Sequence, residues 1–130
     1  MITTRLTEDE TLLQSINMAI LDKKGEDIIN VDLRNTTGSV TNYFVICNAN
    51  SITQVQAIAE HVERKVRTEL KEKAWHSEGY ENCVWVLLDY VSVVVHIFEK
   101  KNREFYKLEN LWADAVFSHI GNDGKIALVP

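Results

Sequence analysis

Apolar residues recur at helical spacing in two segments of the first half of the chain. The first segment follows Thr7 and Glu10, which form a capping box, and it ends before Gly25, a residue type that commonly stops a helix. A second capping box, Ser51 with Gln54, precedes apolar residues that step by three and four. These are Val55, Ile58, Ala59, Val62, Val66 and Leu70. The pattern predicts two amphipathic helices.

Stretches rich in Ile and Val predict β-strands at residues 27–33, 42–47, 84–88 and 91–98. The last two are the most apolar and are separated only by Asp89 and Tyr90, so we expect adjacent buried strands at the centre of a sheet. Alternation along this segment places Trp85, Leu87 and Asp89 on one face and the even-numbered residues on the other.

Residues 103–116 return to helical spacing and predict one or two short helices, with Trp112 expected in the core. The order of elements indicates an α/β or α+β fold, in which a mixed sheet packs against helices. With 130 residues, 45% of them hydrophobic, the chain fits one compact domain. We expect that domain to span 1–118 and residues 119–130 to form a flexible tail.

Charge and targeting signals narrow the class of partner. The first ten residues carry no apolar leader and no apolar run is long enough to span a bilayer, so we expect a cytoplasmic protein without membrane contact. The net charge of −5 argues against binding nucleic acid through phosphates. The polar face of the second helix mixes signs, which is typical of a solvated surface, at Glu60, Glu63, Arg64, Arg67 and Lys71. A basic protein partner fits better than nucleic acid.

Few residues suggest chemistry. Cys47 and Cys83 lie far apart inside apolar runs and are interpreted as buried small hydrophobes, and no histidine shares ligand spacing with another residue, so neither a metal nor a cofactor is expected. His96 lies within a predicted strand, and a catalytic role would need a partner such as Asp89. The favoured alternative is a packed histidine with one nitrogen bonded to the backbone.

Gly38 and Ser39 precede a predicted strand, as a Gly-Ser pair does in nucleotidyltransferases. In those enzymes the strand carries two carboxylates that hold magnesium on a triphosphate. The corresponding positions here are Asn42 and Phe44, an amide and a phenyl ring, which disfavours transfer chemistry.

Several segments in order resemble the ribosomal silencing factor (RsfS/Iojap) family over residues 8–117: TNYFVIC, NANSITQVQAIAEHVE, WVLLDY, VVVHIF and REFYKLENLWADA. The resemblance implies a nucleotidyltransferase-like fold without the active site, a homodimer, and no enzymatic activity. It also implies binding to the large ribosomal subunit through the basic ribosomal protein L-fourteen. Such binding would block joining of the small subunit and slow translation when nutrients are short. The rival hypothesis is a nucleotide-binding or nucleotidyltransferase-like enzyme or sensor.

The resemblance places the docking surface on these matched segments, and it makes candidate partner contacts of Trp85, Val86, Tyr90, Arg103 and Tyr106. The chain departs from the family pattern twice. Asn42 stands where the family has Asp, and Val91-Ser92 where it has Gly-Asp. The second departure bears on the turn after Tyr90, because a β-branched residue avoids the positive φ that Gly allows.

Overall fold

The described part of the chain forms one mixed sheet, with two helices on one face and a third helix at the end of its strands. The computed structural model describes residues 7–36, 38, 41–106 and 115–128, and the side chains of 104–106 and 128 lie outside the description. The elements are α1 (Glu8–Asp22), β1 (Glu26–Asp32), β2 (Tyr43–Ala49), α2 (Ile52–Leu70), β3 (His76–Glu78), β4 (Trp85–Asp89), β5 (Val93–Glu99), α3 (Lys100–Tyr106), β6 (Val116–Ile120) and β7 (Ile126–Leu128). The predicted fold class is confirmed.

The seven described strands lie in the order β3-β4-β5-β2-β1-β6-β7. β2 and β5 run parallel, and the remaining neighbours are antiparallel. β4 and β5 are adjacent, as predicted, but β4 lies one strand from the edge. The central strand of the sheet is β2 rather than β4. β2 pairs in parallel with β5, and this places β1, β6 and β7 on one side of β2 and β5, β4 and β3 on the other.

Both predicted helices begin at their capping boxes. Thr7 Oγ1 accepts a hydrogen bond from the Glu10 backbone N–H (3.0 Å), and Ser51 Oγ accepts one from the Gln54 N–H (3.1 Å). These side chains satisfy donors that the first turn of a helix leaves unpaired. α1 and α2 pack on the same face of the sheet and build the main core. Its fully buried members include Ile16, Ile20, Ile58, Val62, Val86, Leu88, Val95 and Ile97.

α3 begins at Lys100, three residues before the predicted helix start, and is anchored by Arg103. The Arg103 Nη1 donates to the backbone carbonyl of Asp27 and, at 2.7 Å, to Asn48 Oδ1. Asp27 lies where the β1–β2 register shifts, and it has a φ of 51°. Only 8% of Arg103 is exposed, so the expected contact with a partner is corrected to an internal bond between α3 and the sheet.

Most of the expected flexible tail is a β-hairpin. β6 pairs with β1, and β7 pairs with β6. Between the two strands, Gly124 has a φ of 80° and the Gly121 N–H donates to the carbonyl of Lys125 (2.9 Å). Ile120 is buried in the core. This corrects the predicted boundary at residue 118, because the hairpin is stabilised by burial and by the β1 edge.

The turn between β4 and β5 keeps a glycine-like backbone although no glycine is present. Val91 has a φ of 74°, and the Ser92 N–H donates to the Tyr90 carbonyl (2.9 Å), which closes a γ-turn around Val91. The Val91 N–H donates to Asp89 Oδ1 (2.7 Å). The Tyr90 N–H donates to the Val93 carbonyl (2.8 Å). These bonds hold a β-branched residue in a conformation that it disfavours.

Candidate partner-binding surface

The sheet face opposite α1 and α2 carries a second apolar cluster, which we call the aromatic face. Its buried members are Val31, Leu33, Ile46 and Phe98, and the partly buried side chains around them are Ile29, Phe44, Trp85, Ala115 and Phe117. Cross-strand pairing aligns these residues, since Phe44 pairs with Val31 and Val31 with Phe117. Rings from four strands therefore lie on one face of the sheet.

Trp85 is the half-buried tryptophan of this face. Its ring stacks on Phe98, with centroids 4.8 Å apart and planes inclined by 27°. Its Nε1–H donates to His96 Nδ1 at 3.1 Å. The predicted alternation is confirmed: Trp85 and Leu87 are partly exposed on this face, while Val86 is fully buried on the other. The indole is held in place by two neighbours and still reaches the surface.

His96 has a structural role in this cluster. Only 5% of it is exposed, and burial lowers its pKa to about 4. The ring is therefore neutral at pH 7, and because Nδ1 accepts from the indole, its proton resides on Nε2. Asp89 is not its partner: the strand register places Asp89 opposite Val94. The sequence favoured a packed histidine with one nitrogen bonded to the backbone. His96 is packed, but its Nδ1 is hydrogen-bonded to the Trp85 indole instead.

The other expected partner contacts do not join this surface. Val86 is fully buried and Tyr90 is 6% exposed, both in the core under α1 and α2, and burial raises the pKa of the Tyr90 hydroxyl. The alternation that exposes Trp85 turns Val86 inward, so its side chain is not available to a partner. Tyr106 ends α3, and its side chain, like all of Trp112, lies outside the described residues.

Asn42 and Phe44, at the positions that would carry catalytic carboxylates, contact other side chains of the chain. Asn42 Nδ2 donates to Asp9 Oδ2 (2.9 Å), and the Phe44 ring meets the His96 ring edge-on, with centroids 4.8 Å apart. Ser39 lies outside the described residues. An amide and a packed phenyl ring offer no pair of charged oxygens for magnesium. This geometry gives the nucleotidyl-transfer hypothesis no support at these positions.

Both cysteines are free and buried, as predicted. Burial raises the pKa of the Cys47 thiol to about 12, so it remains protonated and unreactive at neutral pH. Within the described ranges, no helix has both the length and the apolar character needed to cross a membrane.

Comparison with known proteins decides the family. The profile described as "Ribosomal silencing factor during starvation" matches residues 6–127. The chain belongs to this ribosomal silencing factor family. It is 42% identical over 107 residues to the ribosomal silencing factor RsfS of Halalkalibacterium halodurans, covering 82% of this chain and 90% of that one. Membership makes it a ribosome-associated factor of translation regulation.

A solved structure and a more distant relative extend the comparison. The crystal structure of a Chromobacterium violaceum protein matches with a TM-score of 0.76 and 34% identity, covering 82% of this chain and 87% of that chain. A mouse protein named "Mitochondrial assembly of ribosomal large subunit protein 1" is 31% identical over 77 residues, covering 55% of this chain and 32% of its own length. The first likeness extends over most of the fold.

Proposed function

We propose that this silencing factor docks on the large ribosomal subunit through ribosomal protein L-fourteen and thereby prevents the small subunit from joining. It acts in the cytoplasm without catalysis and slows translation when nutrients are short. Exclusion requires only that the bound factor and the small subunit cannot occupy the large subunit together. The observation that carries the proposal is Trp85, a fixed and partly exposed indole on the aromatic face of a family member.

The aromatic face has the composition of an interface centre. Trp85 and Leu87 supply apolar surface, and Asp89 lies on the same side of β4. Interface centres favour tryptophan, with polar groups toward the rim. Because the indole is already stacked on Phe98 and bonded to His96, docking would freeze few rotamers and lose little entropy.

The net charge of the chain and the name of one relative both support a basic protein partner on the large subunit. The chain has a net charge of −5 and a pI near 5.3, which favours encounter with a basic ribosomal protein. The name of the mouse relative refers to the large subunit and not the small one. The proposal also includes a homodimer away from the ribosome. Sedimentation equilibrium at micromolar concentration tests for the homodimer, and a monomer mass at every concentration would contradict it.

Trp85→Ala tests the docking surface. We expect its affinity for large subunits to fall about thirtyfold, which corresponds to about 2 kcal/mol for an aromatic anchor. Because Trp85 is partly exposed, we expect a smaller loss in unfolding free energy than for a fully buried ring, about 1–2 kcal/mol. The matched control is Phe98→Ala in the same cluster, where a fully buried ring is removed and about 3–5 kcal/mol should be lost.

Both variants are measured by urea unfolding and by co-sedimentation with large subunits, at a temperature where each is folded. A Trp85→Ala protein that is stable and binds at parental affinity would place the docking surface elsewhere. A variant that loses as much stability as Phe98→Ala would show that Trp85 belongs to the core.

A further inference from the structure

Positive charge is concentrated at the carboxyl end of α2. Five of the chain's 14 lysines and arginines lie within residues 64–73: Arg64, Lys65, Arg67, Lys71 and Lys73. Arg64 and Arg67 lie three residues apart on one side of α2, Lys71 is the residue that caps its end, and all three are exposed. We call Arg64, Arg67, Lys71 and Lys73 the cationic patch.

The four cations of the patch form no ion pair with a carboxylate among the described residues. Lys65 pairs with Glu69 (3.0 Å), but in the described part of the chain no carboxylate oxygen lies within 4 Å of the four patch side chains. Glu69 also accepts from Ser15 Oγ (2.9 Å), and Glu63 accepts from the Tyr80 hydroxyl. These two acids are therefore engaged elsewhere, while Glu72 is exposed between Lys71 and Lys73 and Arg64 Nη2 lies 3.2 Å from His61 Nδ1.

A concave surface lies among these cations, and an exposed tryptophan follows it in the chain. An open hollow of about 410 Å³ is lined by Glu63, Arg64, Arg67, Thr68, Lys73 and Ala74. The next residue, Trp75, is 77% exposed, and its backbone N–H is held by the carbonyl of Asp89 (2.7 Å). A helix dipole accounts for cations in the last turn of α2, but not for Lys73 or for an exposed indole. Cations without a carboxylate partner beside an exposed aromatic ring are the combination that binds RNA backbone and stacks on a base.

We propose that the cationic patch and Trp75 form a second contact, made with ribosomal RNA: the four cations bind phosphates, and the indole stacks on an exposed base. This inference rests on the proposed docking to the large subunit. It revises the expectation that the chain makes no direct nucleic-acid contact, which rests on the net charge and on the mixed signs along this face of α2. Net charge describes the whole molecule, whereas phosphate binding depends on the local field.

The position of the patch is compatible with simultaneous use of both surfaces. β3 pairs with β4, and His76 lies opposite Asp89, so Trp75 stands at the sheet edge next to the strand that carries Trp85. α2 covers the other face of the sheet at this edge. A large subunit that holds Trp85 could therefore reach the cationic patch around the β3 edge.

The salt dependence of large-subunit binding tests the phosphate contacts. The double variant Arg67→Glu/Lys73→Glu should flatten the plot of log affinity against log salt by about 1 for each phosphate that is no longer bound. The matched control Lys24→Glu/Lys125→Glu makes the same change in net charge at exposed positions away from the patch, and should leave the slope unchanged. Equal slopes for the two double variants would overturn the phosphate assignment.

Trp75 tests the nature of the partner. Trp75→Ala should weaken binding about tenfold or more without changing the salt slope, and Trp75→Phe should restore most of the affinity. A photo-crosslinking p-benzoylphenylalanine in place of Trp75, irradiated on large subunits, should give an adduct that ribonuclease shortens. An adduct with ribosomal protein alone would overturn the RNA contact. If the parent protein fails to bind large subunits at any salt concentration, the proposed docking itself is contradicted. That result differs from the loss of the RNA contact alone, in which the parent protein still binds.

Discussion

Val91 is held in a left-handed conformation that its side chain disfavours. The γ-turn around it gives a φ of 74°, and 63% of the residue is exposed, so its side chain gains little from burial. Such conformations cost about 1–3 kcal/mol in residues with a Cβ atom. The turn thus forms with Val91 at the position where the resemblance implies a glycine.

Val91→Gly should therefore stabilise the protein by about 1 kcal/mol, since relief of strain exceeds the added entropy of a glycine in the unfolded chain. The urea midpoint measures this change. Val116→Gly is the control: Val116 is 48% exposed in the extended strand β6, and there a glycine should cost up to about 1 kcal/mol. A lower midpoint for Val91→Gly would show that the turn is not strained.

His96 should make stability depend on pH in the weakly acidic range. Its folded pKa of about 4 lies below the ordinary value of 6.5, so the unfolded chain binds the proton more readily. The contribution of His96 to the unfolding free energy is present above pH 6.5 and is lost as the pH falls toward 4. We expect about 2 kcal/mol less unfolding free energy at pH 5 than at pH 7 from this group.

Urea unfolding of the parent and of His96→Gln at both pH values isolates this effect. The variant has no imidazole, so its unfolding free energy should change by about 2 kcal/mol less over the same interval. An equal pH response in the two proteins would show that His96 is not buried in its neutral form.

At the scale of elements, α3 is joined to the sheet by a buried cation. Arg103 joins it to the carbonyl of Asp27 on β1 and to Asn48 on β2. Removing the guanidinium would leave the buried Asn48 oxygen and the Asp27 carbonyl without this donor, and an unpaired buried acceptor typically costs about 1–3 kcal/mol. Helix propensity adds little to the stability of the seven residues described for α3.

Arg103→Met should therefore lower the unfolding free energy by about 2 kcal/mol and expose α3 to local opening. Amide hydrogen exchange should show faster exchange in α3 and unchanged protection in α2. Lys101→Met serves as the control, because Lys101 is exposed on the same helix and should leave the exchange pattern unchanged. Retained protection of α3 in Arg103→Met would assign its stability to other contacts.

Elements with local signals were predictable. Thr7 and Ser51 start their helices because the caps are formed by residues three positions away. The C-terminal hairpin was missed, although Gly121 to Gly124 is a turn signal between apolar segments. Whether such a short hairpin persists depends on β1, more than 80 residues earlier in the chain, and no local pattern reveals that pairing.

At the scale of the whole molecule, the surface could be predicted only in part. Alternation separates Trp85 from Val86, so the inward turn of Val86 was readable from the sequence. The burial of Arg103 was not, because its acceptors on Asp27 and Asn48 are more than 50 residues away. The cationic patch was visible as mixed charge, but only folding shows which carboxylates are engaged elsewhere.

The central claim is that occupancy of the large subunit by this protein prevents joining, and a subunit-joining titration tests it most directly. Purified large and small subunits are mixed at fixed magnesium with increasing protein, and joined ribosomes and bound protein are measured in the same gradients. The yield of joined ribosomes should fall in proportion to occupancy, and Trp85→Ala should require about thirty times more protein. Unchanged joining on fully occupied large subunits, or equal binding to small subunits, would contradict the account.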